Sequence, residues 1–573
     1  LKISRIFPYL YSFILLMLGL CIAPSQATPS KPTIDWQPCP QETGQPFECA
    51  TVNVPLIHNI SPDKESPMVS IAMVRLPATD PERRIGSLFF NPGGPGGSGV
   101  DLVVANGPAL YTDEVRARFD LVGFDPRGIA RSDALVCFES SEELNRVQES
   151  LTIYPISLEE INTRRVSDKY FAEHCEKRAS AIIDYMTTAD VARDLDLLRQ
   201  AVGDEQMNFV GYSYGSYLGV TYANLFPSKV GAIVLDGVVD PIAWATGRHG
   251  ERFTTPTFTR LRSDAGALVT LNEFFRLCDE GSGCAFAGDS AARFAALAES
   301  IKAKPLVIAL PDFGTIEMGY NRFISSTLSI LYNSSTWPTF AQILAAAEAQ
   351  ASPEVIGALV SELLGEQELE GEEESSHGQT IEGLPGVVCG DSDNPSEFWA
   401  WPIAAEIAEA SNGYFGPDWA WSSSVCAQWP GSMDSRYIGP FDKHTANPVL
   451  VTNTLFDPAT RHESAVTVAN LLPNSRLLTV EGWGHGTVFL SQCATQTVSD
   501  YLVNGTLPPE GKVCQQDSPP FDGPFPSTTH SQTPKAETAT KLKARTLRDE
   551  EARKDRARFV SSIMPEALRR ALR

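Results

Sequence analysis

Between residues 207 and 226 the chain places three elements in direct succession. Met207-Asn208-Phe209-Val210 is a short apolar run, Gly211-Tyr212-Ser213-Tyr214-Gly215 is a glycine-bracketed turn, and 216–226 reads as a helix. A strand that reverses straight into a helix brings its backbone so close that the residues flanking the central serine must be small. The turn lifts the Ser213 hydroxyl clear of the strand, at a helix N-terminus that favours developing negative charge. A G-x-S-x-G match alone arises by chance in a chain with 42 glycines. Its position between strand and helix marks a nucleophile elbow and constrains the surrounding fold.

The same strand-then-helix rhythm recurs. Short apolar, often β-branched runs stand at 69–76, 87–90, 121–124, 207–210 and 232–235, and after a long gap at 448–451 and 476–480. Helical stretches such as 189–202 lie between them. Runs of this kind suit parallel strands covered on both faces, so the expected fold is α/β, a doubly wound, mostly parallel sheet. The gap does not continue the rhythm; it holds helix-like segments at 337–351 and 353–364. The expected organisation is an export signal at 1–27, the first part of the core at 28–240, an inserted, mainly helical cap at 241–385, the second part of the core at 386–517, and a linker with a charged tail at 518–573. The cap contains an acidic run, 366–374, read first as a solvated loop and second as a patch for a cationic substrate group. The tail from 535 carries twelve Lys/Arg against six Asp/Glu, lacks a broad apolar face, and is expected to be mobile.

Composition excludes some partners. With 46 Lys+Arg against 70 Asp+Glu the formal net charge is -24, which argues against nucleic acid or an anionic membrane as the main partner. Lys2 and Arg5 precede an apolar stretch at 11–23, and Ser25-Gln26-Ala27 offers a cleavage site, the pattern of a secretory signal. The stretch is short for a span of roughly 20 residues, so secretion without stable membrane insertion is expected. Of eleven cysteines, Cys21 lies in that signal. The other ten form neighbouring couples: Cys39/Cys49, Cys137/Cys175, Cys278/Cys284, Cys389/Cys426 and Cys493/Cys514. An even number after an export signal suggests disulfides; many pairings are open, and the local ones are favoured. None has zinc spacing, so no metal is expected. Sequons at Asn59, Asn333 and Asn504 are candidate glycosylation sites; Pro62 follows the serine of the first. Oligomeric state is not legible.

A serine hydroxyl needs a base, and the base needs a group that fixes its tautomer. Among eight histidines, His485 stands in Gly484-His485-Gly486 just after the last expected strand, where small neighbours let an imidazole project. Asp457 follows the strand-like 449–456 and is the candidate acid, with Asp236, at the end of the strand after the nucleophile's, as its rival. Thr460 is placed to brace Asp457. The oxyanion needs waiting amides: those of Tyr214 and Gly94, with Gly93 next in line, the latter two in the loop Asn91-Pro92-Gly93-Gly94-Pro95-Gly96-Gly97-Ser98-Gly99. Gly94, Gly96 and Gly99 also match a dinucleotide-binding fingerprint, but Pro95 within the turn and the co-occurring Ser, Asp and His argue against it. The run lacks the Lys of a Walker loop. No cofactor is expected.

These residues together resemble a known family. The loop 91–99, Gly123-Phe124-Asp125-Pro126-Arg127-Gly128 and the elbow look like the prolyl-aminopeptidase branch of the α/β-hydrolases, in which the chain order Ser, Asp, His also recurs. Cys389-Gly390-Asp391, Cys426 with Trp429-Pro430, Asp457-Pro458-Ala459-Thr460, and Cys493 through Tyr501-Leu502 to Cys514 resemble the C-terminal part of secreted tripeptidyl aminopeptidases. The resemblance spans about residues 36–516. It implies a serine exopeptidase with Ser213 as nucleophile, Asp457 as acid and His485 as base, and a cap that closes one end of the cleft around a peptide with a free N-terminus. The acidic run and the basic tail depart from the pattern. A small-molecule esterase or lactonase with the same machinery is the alternative, and a binding protein on a hydrolase scaffold the third reading.

Overall fold

The seven apolar runs all become strands of one ten-stranded sheet. The computed structural model describes residues 32–522, apart from 41–43, 62–63, 153, 311–313 and 365–376, together with 554–561. The expected signal segment, the acidic run and most of the tail lie outside the described residues. In chain order the strands are β1 (Gln37–Pro38), β2 (Glu48–Pro55), β3 (Met68–Leu76), β4 (Gly86–Asn91), β5 (Phe119–Phe124), β6 (Met207–Tyr212), β7 (Val230–Asp236), β8 (Leu306–Leu310), β9 (Gly314–Met318), β10 (Val449–Phe456), β11 (Ser475–Trp483) and β12 (Val513–Gln515). The large sheet runs β1-β2-β3-β5-β4-β6-β7-β10-β11-β12. It is parallel from β5 to β12, and β1 to β3 add an antiparallel edge.

β4, β5 and β6 are buried almost throughout, as strands covered on both faces must be. Helix Gly99–Asn106 packs on β4 and β5 and Tyr214–Leu225 on β6; Thr188–Ala201 packs on Tyr214–Leu225, and Gln492–Asn504 on β7. Register brings Asn91 level with Gly211, Tyr212 with Asp236, and Asp236 with Thr452. The carboxyl ends of β4, β6, β7 and β10 therefore share one rim, where open α/β sheets gather their chemistry.

The long gap between β7 and β10 is largely helical. Ser263–Glu280, Ser290–Ala303, Tyr320–Leu331 and Trp337–Glu348 pack through Phe274, Trp337, Phe340 and Phe294. A small antiparallel hairpin, β8–β9, joins them and was not expected. Ala400–Asn412 and Gly416–Trp421 also pack on Ser263–Glu280.

All five local cysteine couples are bonded: Cys39–Cys49, Cys137–Cys175, Cys278–Cys284, Cys389–Cys426 and Cys493–Cys514. Arg127 is fully buried, with Nε and Nη2 both 2.6 Å from the Asp194 carboxylate and further bonds to the carbonyls of Pro55 and Leu56. It ties the end of β2 to the helix Thr188–Ala201, so this part of the 123–128 motif is structural. Among the described residues no helix is long and apolar enough to cross a membrane.

The expectation of a mobile tail does not hold for residues 554–561. They are helical, and Arg556, Phe559 and Val560 are buried. Asn333 also differs from expectation. It is 5% exposed, its Oδ1 accepts from Ser335, and its backbone bridges to Gly484, so its side chain is buried in the folded chain. Asn59 and Asn504 are exposed.

Candidate active site

Ser213 stands between β6 and the helix Tyr214–Leu225, with φ 55° and ψ -125°. This left-handed, strained backbone is the geometry of a nucleophile elbow. A Cβ on Gly211 would collide with the backbone of Gly215, and one on Gly215 would stand 2.6 Å from the Asn91 carbonyl oxygen, which explains the glycines on both sides. The Ser213 amide donates to the Asp236 carbonyl at 2.9 Å. Its own carbonyl accepts from Ser216 Oγ at 2.6 Å, and Ser216 Oγ accepts from the Val239 amide at 2.9 Å. The elbow is thus pinned to the turn that follows β7.

His485 lies against the same turn. A Cβ on Gly237 would stand 3.1 Å from its Cε1 and 3.4 Å from its Nδ1. The imidazole is completely buried, and Nδ1 is 2.9 and 3.0 Å from the two Asp457 oxygens. Asp457 also accepts from the amides of Ala459 and Thr460, each at 2.8 Å, and from Thr460 Oγ1 at 2.9 Å. A carboxylate held by three other donors stays an acceptor, so Nδ1 carries the proton and Nε2 is left as the basic nitrogen. Nε2 is buried and has no hydrogen-bond partner among the described residues. The Ser213 hydroxyl does not engage it in this state; such bonds often tighten only around substrate.

Among the described residues Asp236, the rival acid, makes no hydrogen bond to the imidazole. It accepts from Thr487 through both the amide, at 3.0 and 3.1 Å, and Oγ1, at 2.8 Å. Burial pushes its carboxyl up to about 6, against the pull of those bonds and of Arg556 and His485. It holds the loop after His485 rather than the imidazole.

The loop 91–99 sits on the elbow. A Cβ on Gly93 would stand 2.9 Å from both Ser213 Cβ and the Tyr214 nitrogen. The Gly93 amide donates to Asn91 Oδ1 at 3.0 Å and is thereby engaged within the loop. Asp125 fastens the loop's far end, accepting from Ser98 Oγ at 2.5 Å and from the amides of Val100 and Arg131.

Several contributing residues were not legible in the sequence. Tyr332, in the insertion, accepts the His485 amide at 2.9 Å and lays its ring edge-on to the imidazole, centroids 5.0 Å apart. Thr454 Oγ1 donates to the Gly484 carbonyl at 2.6 Å. The Tyr214 hydroxyl bonds Thr188 Oγ1, which donates to Asp391 at 2.5 Å, and burial pushes the Asp391 carboxyl up to about 7. Arg556 reaches the carbonyl of His485 itself. Among the described residues no group of three or more His, Cys, Asp or Glu could hold a metal.

Sheet, elbow and buried His–Asp pair define a serine hydrolase of the α/β fold. Comparison with known proteins agrees. The family described as alpha/beta hydrolase fold matches residues 86–264, and that described as TAP-like protein matches 412–514. Carboxylesterase B of Mycobacterium tuberculosis is 30% identical over 510 residues, covering 85% of this chain and 92% of that protein. Serine protease Hip1 of the same species is 29% identical over 508 residues, 84% and 91% of the two chains. Tripeptidyl aminopeptidase of Streptomyces lividans is 27% identical over 511 residues, 88% and 90%. The chain belongs to the α/β-hydrolase family, in the group with a TAP-like C-terminal region.

Proposed function

We propose that this hydrolase is an exported aminopeptidase that releases short peptides from a free N-terminus through an acyl-enzyme. The observation that carries the reading is the buried contact of His485 Nδ1 with Asp457, beside an elbow serine at a strand–helix turn. Ser213 Oγ attacks the scissile carbonyl carbon while His485 Nε2 takes its proton. The oxyanion forms against the amides of Gly94 and Tyr214, where one donor is worth about 10²- to 10³-fold in rate. The C–N bond breaks, His485 gives its proton to the leaving amine, and water, deprotonated by the same nitrogen, releases the acyl group. Asp457 stays ionised and orients the imidazole, braced by Thr460.

Similarity to the tripeptidyl aminopeptidase of Streptomyces lividans supports a peptide substrate. Tyr332 and Asn333 place the helical insertion directly against the His485 loop, as a cap limiting the cleft requires. Five disulfides support an oxidising, extracellular location.

The test is a library of peptides with free and acetylated N-termini, products identified by mass spectrometry, with Ser213→Ala as control. The proposal expects cleavage of free peptides in fixed short steps and little cleavage of blocked ones. Equal cleavage of both removes the aminopeptidase assignment. The similarity to carboxylesterase B favours one alternative, a carboxylic-ester hydrolase with the same machinery; faster turnover of simple esters than of any free peptide would establish it.

A further inference from the structure

His485 is flanked by Gly484 and Gly486, whose φ values are +112° and +74°. Glycines on both sides leave the loop's own backbone little power to fix the imidazole, so its position depends on outside anchors. Four have been described: Asp457 on Nδ1, Tyr332 on the amide, Thr454 on the Gly484 carbonyl and Asp236 on Thr487. A fifth comes from the far end of the chain. Arg556 is 2% exposed; its Nη2 donates to the carbonyls of His485 and Gly486 at 2.8 and 3.1 Å, and its Nη1 to that of Val488 at 2.6 Å. Burial pulls its guanidinium down to about 10, against the opposing field of the buried carboxylates Asp236 and Asp457. Three residues on, the Phe559 ring meets that of Tyr212, the residue before Ser213, edge-on at 4.8 Å, and that of Phe489 at 6.0 Å.

One turn of helix near the C-terminus thus touches the backbone of the base and the residue preceding the nucleophile. A planar, permanently charged fork suits this task, since it can satisfy several carbonyls at fixed angles. We propose that Arg556 is a positioning residue for catalysis: the segment 554–561 locks the His485 loop, and the active site is complete only when that segment is docked. The inference rests on Ser213 and His485 acting as assigned above.

The test uses the full-length protein and p-nitrophenyl acetate, with fluorophosphonate labelling of Ser213 as a second readout. Arg556→Met keeps the length of the side chain but loses the charge and the donors. It is expected to lower kcat and the labelling rate together by about 10- to 100-fold, the scale of an ångström-sized misplacement, with KM within about twofold and the melting temperature little changed. Arg556→Lys recovers part of the loss. A second variant carries a protease site within residues 530–540 and is cleaved after folding. Activity should fall with the fraction of molecules that lose the tail. It should return on adding a synthetic peptide of residues 550–565, and not on adding the same peptide with Arg556→Met. Wild type labelled at Ser213 while both variants keep full activity, or gain it on losing the tail, overturns the inference and leaves the assignment of Ser213 standing. Wild type that is not labelled at Ser213 overturns the assignment itself.

Discussion

Replacing Gly93 with Ala tests how the oxyanion loop is built. The residue has φ +96°, and the added methyl would land on the Tyr212 carbonyl oxygen and stand 2.9 Å from both Ser213 Cβ and the Tyr214 nitrogen. Gly203 is the matched control: its φ is +91°, and a Cβ there meets nothing within 4 Å. Both substitutions carry the backbone cost of a left-handed alanine, about 1–2 kcal/mol. Only Gly93→Ala adds a collision with backbone, which cannot swing aside, and non-bonded atoms rest at roughly 3.5 Å or more. The loop must back away from the elbow by a sizeable fraction of an ångström, carrying the Gly94 amide with it. Loss of one oxyanion donor predicts a kcat lower by about 10²- to 10³-fold, or roughly 3–4 kcal/mol of transition-state stabilisation. Gly203→Ala should melt slightly earlier and turn over like wild type. Steady-state kinetics on one ester and one free peptide, with thermal melting of each variant, measures both quantities. Gly93→Ala at near-normal kcat would refute the placement of the oxyanion loop.

Asp457→Asn should lower kcat by about 10³- to 10⁴-fold, because the amide no longer fixes Nδ1–H; Asp236→Asn, whose hydrogen bonds go to Thr487 and not to the imidazole, should cost less than about tenfold on the same scale, and steady-state kinetics on the two variants distinguishes the acids. Thr460→Ala removes one hydrogen bond to Asp457 and should cost about 1 kcal/mol of stability by denaturant titration. Burial pushes the Asp391 carboxyl from an ordinary 3.8 up to about 7. The folded state therefore holds a proton that the unfolded state has released, and this residue's contribution to stability declines as pH rises through that interval. Asp391→Asn should remove up to one proton's worth of that slope; an unchanged slope in urea titrations between pH 4 and 7 contradicts the ionisation assigned here.

The elbow was legible because three local signals coincide at 207–226, and the geometry of Ser213 is set almost wholly by its immediate neighbours. Asp457 and His485 were legible because each follows an apolar strand and because few histidines compete. β2 escaped notice for a physical reason: only Val52 and Val54 face the interior, so this antiparallel edge strand lacks the continuous apolar run of a covered one. The hairpin β8–β9 is short and half-exposed, with little periodicity to read. Tyr332 and Arg556 left no sequence signal at all. Both meet backbone groups of the 484–488 loop, Tyr332 through its own carbonyl and Arg556 through its guanidinium, and a backbone group announces nothing about which distant residue will meet it. The charged pattern of 547–558 reads as a solvated helix, yet within the described 554–561 Arg556, Phe559 and Val560 are buried.

The central claim is that Ser213, His485 and the amides of Gly94 and Tyr214 converge on one reacting carbonyl. A crystal structure of the enzyme inactivated by an organophosphonate tests it most directly. The account predicts a covalent Oγ–phosphorus bond at Ser213, the phosphoryl oxygen about 2.7–3.1 Å from both amides, and His485 Nε2 within hydrogen-bond reach of Oγ or the leaving-group position. An adduct on another residue, or an imidazole that stays out of reach of the bound phosphonate, would contradict it.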